Sequence, residues 1–178
     1  MTVRVATIDD APGLAELAAV TFPLACPSGT RPEDIESFIS NTLSVKHFQT
    51  YVADASKVVL VDDGAGRELL GYAMLIVGDP SDPHIRASLT HWPTLEVSKL
   101  YVRPTGHGTG VAGRLMTAAL DHASQIGCAG SWLGVNQENE RAQKFYRKHG
   151  FRIAGTKTFV VGGRTEDDYV METELPVG

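Results

Sequence analysis

The chain carries only two cysteines, Cys26 and Cys128. So few exclude the disulfide framework that small secreted domains rely on, and they fit a reducing cytoplasm. A buried structural thiol is the simpler reading of Cys128. No apolar run approaches the about 18 residues that a membrane-spanning helix requires. The opening residues MTVRVATIDD lack the apolar stretch of a signal peptide. A membrane partner is therefore not expected, and the expected location is cytoplasmic. Basic charge is in deficit: 16 Lys+Arg against 21 Asp+Glu leave a formal charge of −5. That balance argues against a nucleic-acid binder and mildly suits a cationic substrate. His84, His91, His107 and His149 have no H-x-x-x-H spacing, and there is no Cys/His cluster, so no metal is expected.

The 178 residues are 43% hydrophobic and 21% charged, ordinary for a globular protein and enough chain for one proper core. With no linker, repeat or low-complexity tract, residues 1–178 read as a single domain. Val3 to Ile8 reads as a strand, after which Asp9 or Asp10 caps a helix that turns Leu14, Leu17 and Ala18 inward. Arg31–Leu43 gives a second helix with Ile35, Phe38 and Ile39 on one face, and Val45–Val52 a short third. Lys57–Val61 and Leu69–Val77 are apolar strands joined by the DDGAGR turn, hence a hairpin. A loop with three prolines spans Gly78–Pro93 and leads into a strand at Thr94–Val102. A helix at Gly108–Ile126, a strand at Trp132–Val135, a helix over 139–149 and a hairpin through Gly162 and Gly163 complete the chain.

The most informative stretch is EVSKLYVRPTGHGTGVAGRLMTAALDHA, from Glu96 to Ala123. Here a strand passes through a glycine-rich turn into an amphipathic helix. The first N–H groups of a helix have no intrahelical acceptor, and side-chain-free residues let them close on a phosphate. GTGVAG over 108–113 formally satisfies the dinucleotide fingerprint. However, Arg103–Gly106 intervene after the strand, and no acidic residue follows at ribose distance near Leu133. Gly108 and Gly113 also have the P-loop spacing, but Arg114-Leu115 stands where Lys-Ser/Thr would supply the Mg²⁺ ligand. A turn that merely joins strand to helix is the bland alternative.

VRPTGHGTGVAGRLM resembles motif A of the GNAT N-acetyltransferases, whose core is Q/R-x-x-G-x-G/A. His107, Gly110 and Ala112 fall on those positions, with His107 in place of the usual Gln or Arg. LGVNQENERAQKFYRKHGF, 133–151, resembles motif B of the same family, N-x-x-A-x-x-x-Y-x-K-x-G-F after a strand. The resemblance implies an α/β (α+β) fold: a curved mixed sheet of about seven strands flanked by helices on both faces. It implies acetyl-CoA as co-substrate, bound through the backbone of His107, Gly108, Thr109, Gly110, Val111, Ala112 and Gly113. Leu100, Tyr101 and Val102 match positions that pair with the pantetheine amides as though CoA were an extra strand. Splaying of the flanking strands would free those groups. Residues matching Asn139 and Tyr146 bind the pantetheine arm and protonate the departing thiolate. Arg114 and Lys148 are placed to meet the CoA phosphates, unless they are simply solvated.

Acyl transfer from a thioester to an amine needs the amine uncharged, the carbonyl polarised and the leaving thiolate protonated. Glu96 is the candidate base. Strand alternation puts Glu96, Ser98, Leu100 and Val102 on one face, with Glu96 about 20 Å from Val102 at full extension. Glu138, or a carboxylate of the first two helices, is the alternative. Tyr146 is the candidate acid. It lies seven residues beyond Asn139, two helical turns on, and so on the same face. An aromatic at that spacing also suits a plain core position. The acceptor is a small-molecule amine or a protein or peptide amine, and the chain is a monomer or homodimer. A non-catalytic acyl-CoA sensor is the rival class.

Overall fold

The parallel contact between two central strands organises the molecule. In a computed structural model that describes residues 2–66 and 68–176, strand β4 (Thr94–Val102) runs beside β5 (Gly130–Asn136). Their pairing covers only Thr94↔Gly130, Leu95↔Ser131 and Glu96↔Trp132, and beyond that register the two strands separate. Around them lie β1 (Val3–Val5), β2 (Lys57–Asp62), β3 (Gly71–Val77), β6 (Arg152–Val161) and β7 (Arg164–Glu174). The seven strands form one sheet in the order β1-β2-β3-β4-β5-β7-β6, with every other pairing antiparallel. This is the mixed seven-stranded sheet expected. The hairpin between β2 and β3 is present, while Arg67 of its DDGAGR turn lies outside the described residues.

Helices cover both faces. On one side lie α1 (Ala11–Ala25), α2 (Pro32–Thr42) and α3 (Val45–Ala53), and their core joins Leu14, Leu17, Phe22 and Phe48 to Val59, Val61, Tyr72 and Met74. On the other, α5 (Val111–Gln125) buries Val111, Leu115, Met116, Ala119 and Ala123 against Leu60, Ala73, Leu75, Leu95 and Val97. Those five buried positions recur at helical spacing. Each large one contributes about 1.5–3 kcal/mol, so packing rather than propensity holds α5 in place. Helix α6 (Glu140–Lys148) lies against the same core through Ala142, Phe145 and Tyr146.

Three expectations are corrected. The first strand stops at Val5 and Ile8–Asp10 form a 3₁₀ turn, because the Asp10 carboxylate accepts from Thr7 N (2.7 Å) and from Arg4 Nη1 (2.8 Å) instead of capping α1. The segment expected as a proline loop contains a short helix, α4 (Pro83–Ser88), which Asp82 starts by accepting from His84 N, with Pro83 at the first helical position. Within β4 the register against β3 skips one residue: Lys99 faces Met74 and Val97 faces Leu75, so Ser98 is bulged. The bulge reverses the alternation. Leu95, Val97, Leu100 and Val102 pack towards α5, whereas Tyr101 packs with the α1–α3 core. Glu96, opposite Ile76, and Lys99, opposite Met74, fall on that second face with Tyr101. Glu96 therefore does not share a face with Leu100 and Val102.

The start of β4 is anchored from β7. The Glu172 carboxylate, 1% exposed, accepts from Thr90 N at 2.9 Å, His91 N at 2.8 Å and Thr90 Oγ1 at 3.0 Å. Among the described residues, no helix is long and apolar enough to cross a membrane.

Candidate active site

Where β4 and β5 part, a cleft of about 270 Å³ opens. Its floor is the β4 segment Glu96–Tyr101 and the β5 segment Gly134–Asn136, and one side is α6 with Asn139, Ala142 and Tyr146. The remaining wall comes from Phe22, Cys26 and Phe38 of the α1–α2 region and from Lys157, Phe159, Glu166 and Asp168 of the terminal hairpin. Val97–Val102 have no strand partner on the β5 side. The outward groups of Leu100 and the Val102 N–H are thus available to an extended ligand, whereas Val102 O meets His107. Contrary to expectation, the register turns the Tyr101 N–H and C=O towards Tyr72 of β3.

The glycine turn lies at the far end of β4, at the start of α5. Gly108 (φ +78°) and Gly110 (φ +84°) adopt the left-handed conformation that favours glycine, and this bends the chain into the helix. No side chain caps α5, so the N–H groups of Val111, Ala112 and Gly113 point outward as donors. A Cβ on Gly108 or Gly113 would meet nothing within 4 Å, leaving open space above those amides. The Thr109 hydroxyl is committed, donating to Gly106 O at 2.7 Å.

The side chains of two residues expected at the cofactor make contacts within the protein. His107 Nε2 lies 3.1 Å from Val102 O, so the imidazole donates to the end of β4. Arg114 Nε and Nη2 both lie 2.8 Å from Oδ2 of the fully buried Asp62, and Nη1 donates to Thr109 O at 3.0 Å. This guanidinium braces β2 and the glycine turn against the helix. Lys148 belongs to a broader, open depression of about 710 Å³ along α6 with Glu138, Arg141 and Lys144. Glu138, the alternative base, lines this depression, and its neighbour Asn139 lines both the depression and the cleft. The depression holds none of the cleft's buried titratable groups.

Asn139 and Tyr146 are held as the helical spacing requires. Asn139 Oδ1 caps α6 by accepting from Ala142 N at 3.1 Å, leaving its amide NH₂ facing the cleft. Buried Gln143 secures the helix to the end of β5, donating to Asn136 O (3.2 Å) and Gln137 O (3.0 Å). The Tyr146 ring packs edge-on to Phe145 and Phe151, and burial pushes its phenol up to about 12. It keeps its proton at neutral pH.

The charged groups of the cleft are the part that the motifs do not reveal. Burial raises the Glu96 carboxyl above its ordinary value, opposed by nearby Lys157 and Lys99. Burial raises Asp168 as well, with Lys157 opposing. Lys99 is lowered by burial, partly offset by Glu96. Lys157 reaches this position from β6 by crossing β7 and lying over Gly134 of β5. A Cβ on Gly134 would stand 2.2 Å from Lys157 Cε and 3.0 Å from Nζ, so any side chain there would push the lysine tip out of this position. Gly134 inside a strand is the one sequence signal of this approach. Among the described residues, no His/Cys/Asp/Glu group could hold a metal ion.

A splayed parallel strand pair, a helix N-terminus behind a glycine turn and a capped asparagine one helical face from a tyrosine define an acyl-CoA transferase architecture. The sequence agrees: the profile of the acetyltransferase (GNAT) family matches residues 16–151, and the chain belongs to that family. It is 48% identical over 166 residues to an uncharacterized N-acetyltransferase of Mycobacterium tuberculosis, covering 93% of this chain and 98% of the relative. An uncharacterized N-acetyltransferase of Lactobacillus delbrueckii subsp. lactis is 24% identical over 168 residues, covering 93% and 92%. The fold matches the PaiA N-acetyltransferase of Thermoplasma acidophilum, solved in complex with coenzyme A, with a TM-score of 0.76 and 20% identity over 98% of this chain and 99% of that one. It also matches yncA of Salmonella typhimurium, a putative acetyltransferase solved with its cofactor acetyl-CoA, with a TM-score of 0.66 and 22% identity over 99% and 94%.

Proposed function

We propose that the protein transfers an acetyl group from acetyl-CoA to a primary amine by direct attack in a ternary complex. The observation that carries this reading is the end of β4–β5 pairing at Glu96↔Trp132, which leaves an unpaired strand edge running towards the glycine turn. An extended pantetheine arm completes that edge, and its pyrophosphate meets the amides at the start of α5.

Glu96 is the base. An alkylamine arrives protonated, since its ordinary pKa is about 10.4, and a carboxylate raised by burial is a better proton acceptor than a solvated one. The neutral amine attacks the thioester carbonyl, whose oxygen is polarised by a backbone N–H at the bulged stretch of β4. Collapse of the tetrahedral intermediate breaks the C–S bond, and the proton that the attacking nitrogen still has to lose leaves on the sulfur as the free CoA thiol. The Tyr146 hydroxyl hydrogen-bonds the developing thiolate. Because this phenol is a weaker acid than a thiol, it stabilises the thiolate more than it finally gives up the proton. Asp168, inside the cleft, is a further alternative base beside Glu138. Cytoplasmic location and a one-domain monomer or homodimer complete the proposal.

Calorimetry and a thiol-release assay test the reading together. Acetyl-CoA should bind at micromolar levels while NAD and Mg-ATP do not, and an amine panel should release free CoA. Glu96→Gln should lower kcat/KM near neutrality at unchanged acetyl-CoA KM. For the parent enzyme kcat/KM should rise with pH as Glu96 ionises and then level off. Acetyl-CoA binding with no thiol released by any amine would move the protein to the non-catalytic sensor class.

A further inference from the structure

Around Glu96 the cleft holds charges that the protein itself pairs only loosely. Among the described residues, Lys157 is held only by a long ion pair to Asp168. Its ammonium stands 3.5 Å from Asp168 Oδ2 and 5.6 Å from the centre of the Phe159 ring. The first distance is well beyond the about 2.7–2.9 Å of a charge-assisted hydrogen bond. The Lys157 side chain is nevertheless only 19% exposed. Lys99 and Glu96 line the same cleft with no hydrogen bond or ion pair of their own among the described residues. Glu166, by contrast, is engaged by Arg164 Nε at 2.7 Å. The inner set is therefore two carboxylates, Glu96 and Asp168, against two ammonium groups, Lys99 and Lys157. Beside it stands an aromatic wall: Phe22 and Phe38 are stacked at 4.5 Å, and Phe159 meets Phe38 edge-on at 5.9 Å.

A neutral cleft with spare donors and a spare acceptor does not suit a polyamine, which would add several uncompensated charges inside a desolvated site. It suits a zwitterion, which brings one charge of each sign. Resting on the acetyltransferase reading, we propose that the acceptor is a free amino acid with an apolar side chain, its carboxylate held by Lys157 and its amine presented to Glu96. The side chain lies on the Phe22–Phe38–Phe159 wall. Lys99, on the Glu96 face of β4, supplies the second positive charge. Gly134 is then a specificity residue, because its missing Cβ admits Lys157 to the cleft. The glycine and the lysine are 23 positions apart in sequence and meet only through the β5-β7-β6 order of the sheet.

The test is acceptor binding to the full-length protein saturated with CoA, read by calorimetry so that no turnover is needed. Leucine, methionine and phenylalanine are each titrated beside the corresponding amide, with spermidine as the polycation. At least one amino acid should bind about tenfold or more tightly than its amide, the size of a charge-assisted contact. Lys157→Met should erase that difference, Lys157→Arg should retain part of it, and Gly134→Ala should imitate Lys157→Met by displacing the lysine without changing charge. Amides or spermidine binding as tightly as the amino acids, a preference that survives Lys157→Met, or no amino-acid binding at all would each overturn the proposal. CoA failing to bind would instead count against the acetyltransferase reading, and the same titrations on the unliganded protein would still decide the carboxylate preference.

Discussion

Replacing Arg114 by leucine separates a brace from a phosphate ligand. The guanidinium contacts Oδ2 of Asp62 through two nitrogens at 2.8 Å, and Asp62 is 0% exposed. Leucine would leave that carboxylate the Gly64 N–H, at 3.2 Å to Oδ1, as its hydrogen-bond donor among the described residues. Breaking a buried ion pair from one side costs about 3–5 kcal/mol. The Arg114 side chain is 33% exposed, however, so water can partly replace it, and about 2–3 kcal/mol is the better expectation. For a domain of this size that lowers Tm by about 4–12 °C. Thermal unfolding of Arg114→Leu should show this drop. The double variant with Asp62→Asn should recover part of it, because the stranded charge is then gone. Acetyl-CoA affinity should fall only as far as the loosened Thr109 carbonyl disturbs the glycine turn. A variant with unchanged Tm and a tenfold weaker acetyl-CoA affinity would refute the brace and make Arg114 a phosphate ligand.

Tyr146→Phe removes one hydroxyl and little volume, so acetyl-CoA affinity should survive while kcat falls by about 10²-fold. With the phenol pushed up to about 12, the parent kcat should show no alkaline decline up to pH 10 that depends on Tyr146. An unchanged kcat would leave the tyrosine a packing residue. At acid pH, the Arg4 guanidinium beside Asp10 lowers that carboxyl to about 2. A lowered folded-state pKa means that the unfolded chain binds more protons between about pH 2 and 4, so stability is lost as pH falls through that window. Asp10→Asn should flatten this limb of a Tm-against-pH curve, and an unaltered limb would show that the pair is stability-neutral.

Much of the scaffold is legible because it depends on local chemistry. Strand β4 ends where Arg103-Pro104 follows, and α5 begins behind glycines that reach the left-handed region. Asn139 and Tyr146 lie together because helical spacing alone puts them there. What is hidden depends on events that periodicity cannot register. The one-residue bulge at Ser98 exchanges the faces of β4, so an unbroken count of two from Glu96 gives the wrong neighbours. Helix α4 is shorter than the window over which a helical pattern emerges, although Asp82-Pro83 is a start signal.

The charges of the cleft are hidden for a different reason. Lys157 and Asp168 sit on a hairpin whose outward face is ordinary alternation, and nothing in that stretch marks one lysine as different from its neighbours. It becomes different through the sheet order β4-β5-β7-β6, which puts the terminal hairpin beside the splayed pair, and through Gly134, which lowers the wall between them. In the function proposed above, cofactor recognition is built mainly from backbone amides, which a short contiguous motif can specify. The acceptor proposed above would meet side chains of α1, α2, β4, β6 and β7 that come together only after folding. A family can therefore keep one cofactor motif while each member sets its own acceptor by changing a few distant side chains. In this chain the side chains proposed for that task are two ammonium groups, two carboxylates and three phenylalanines, gathered around a glycine.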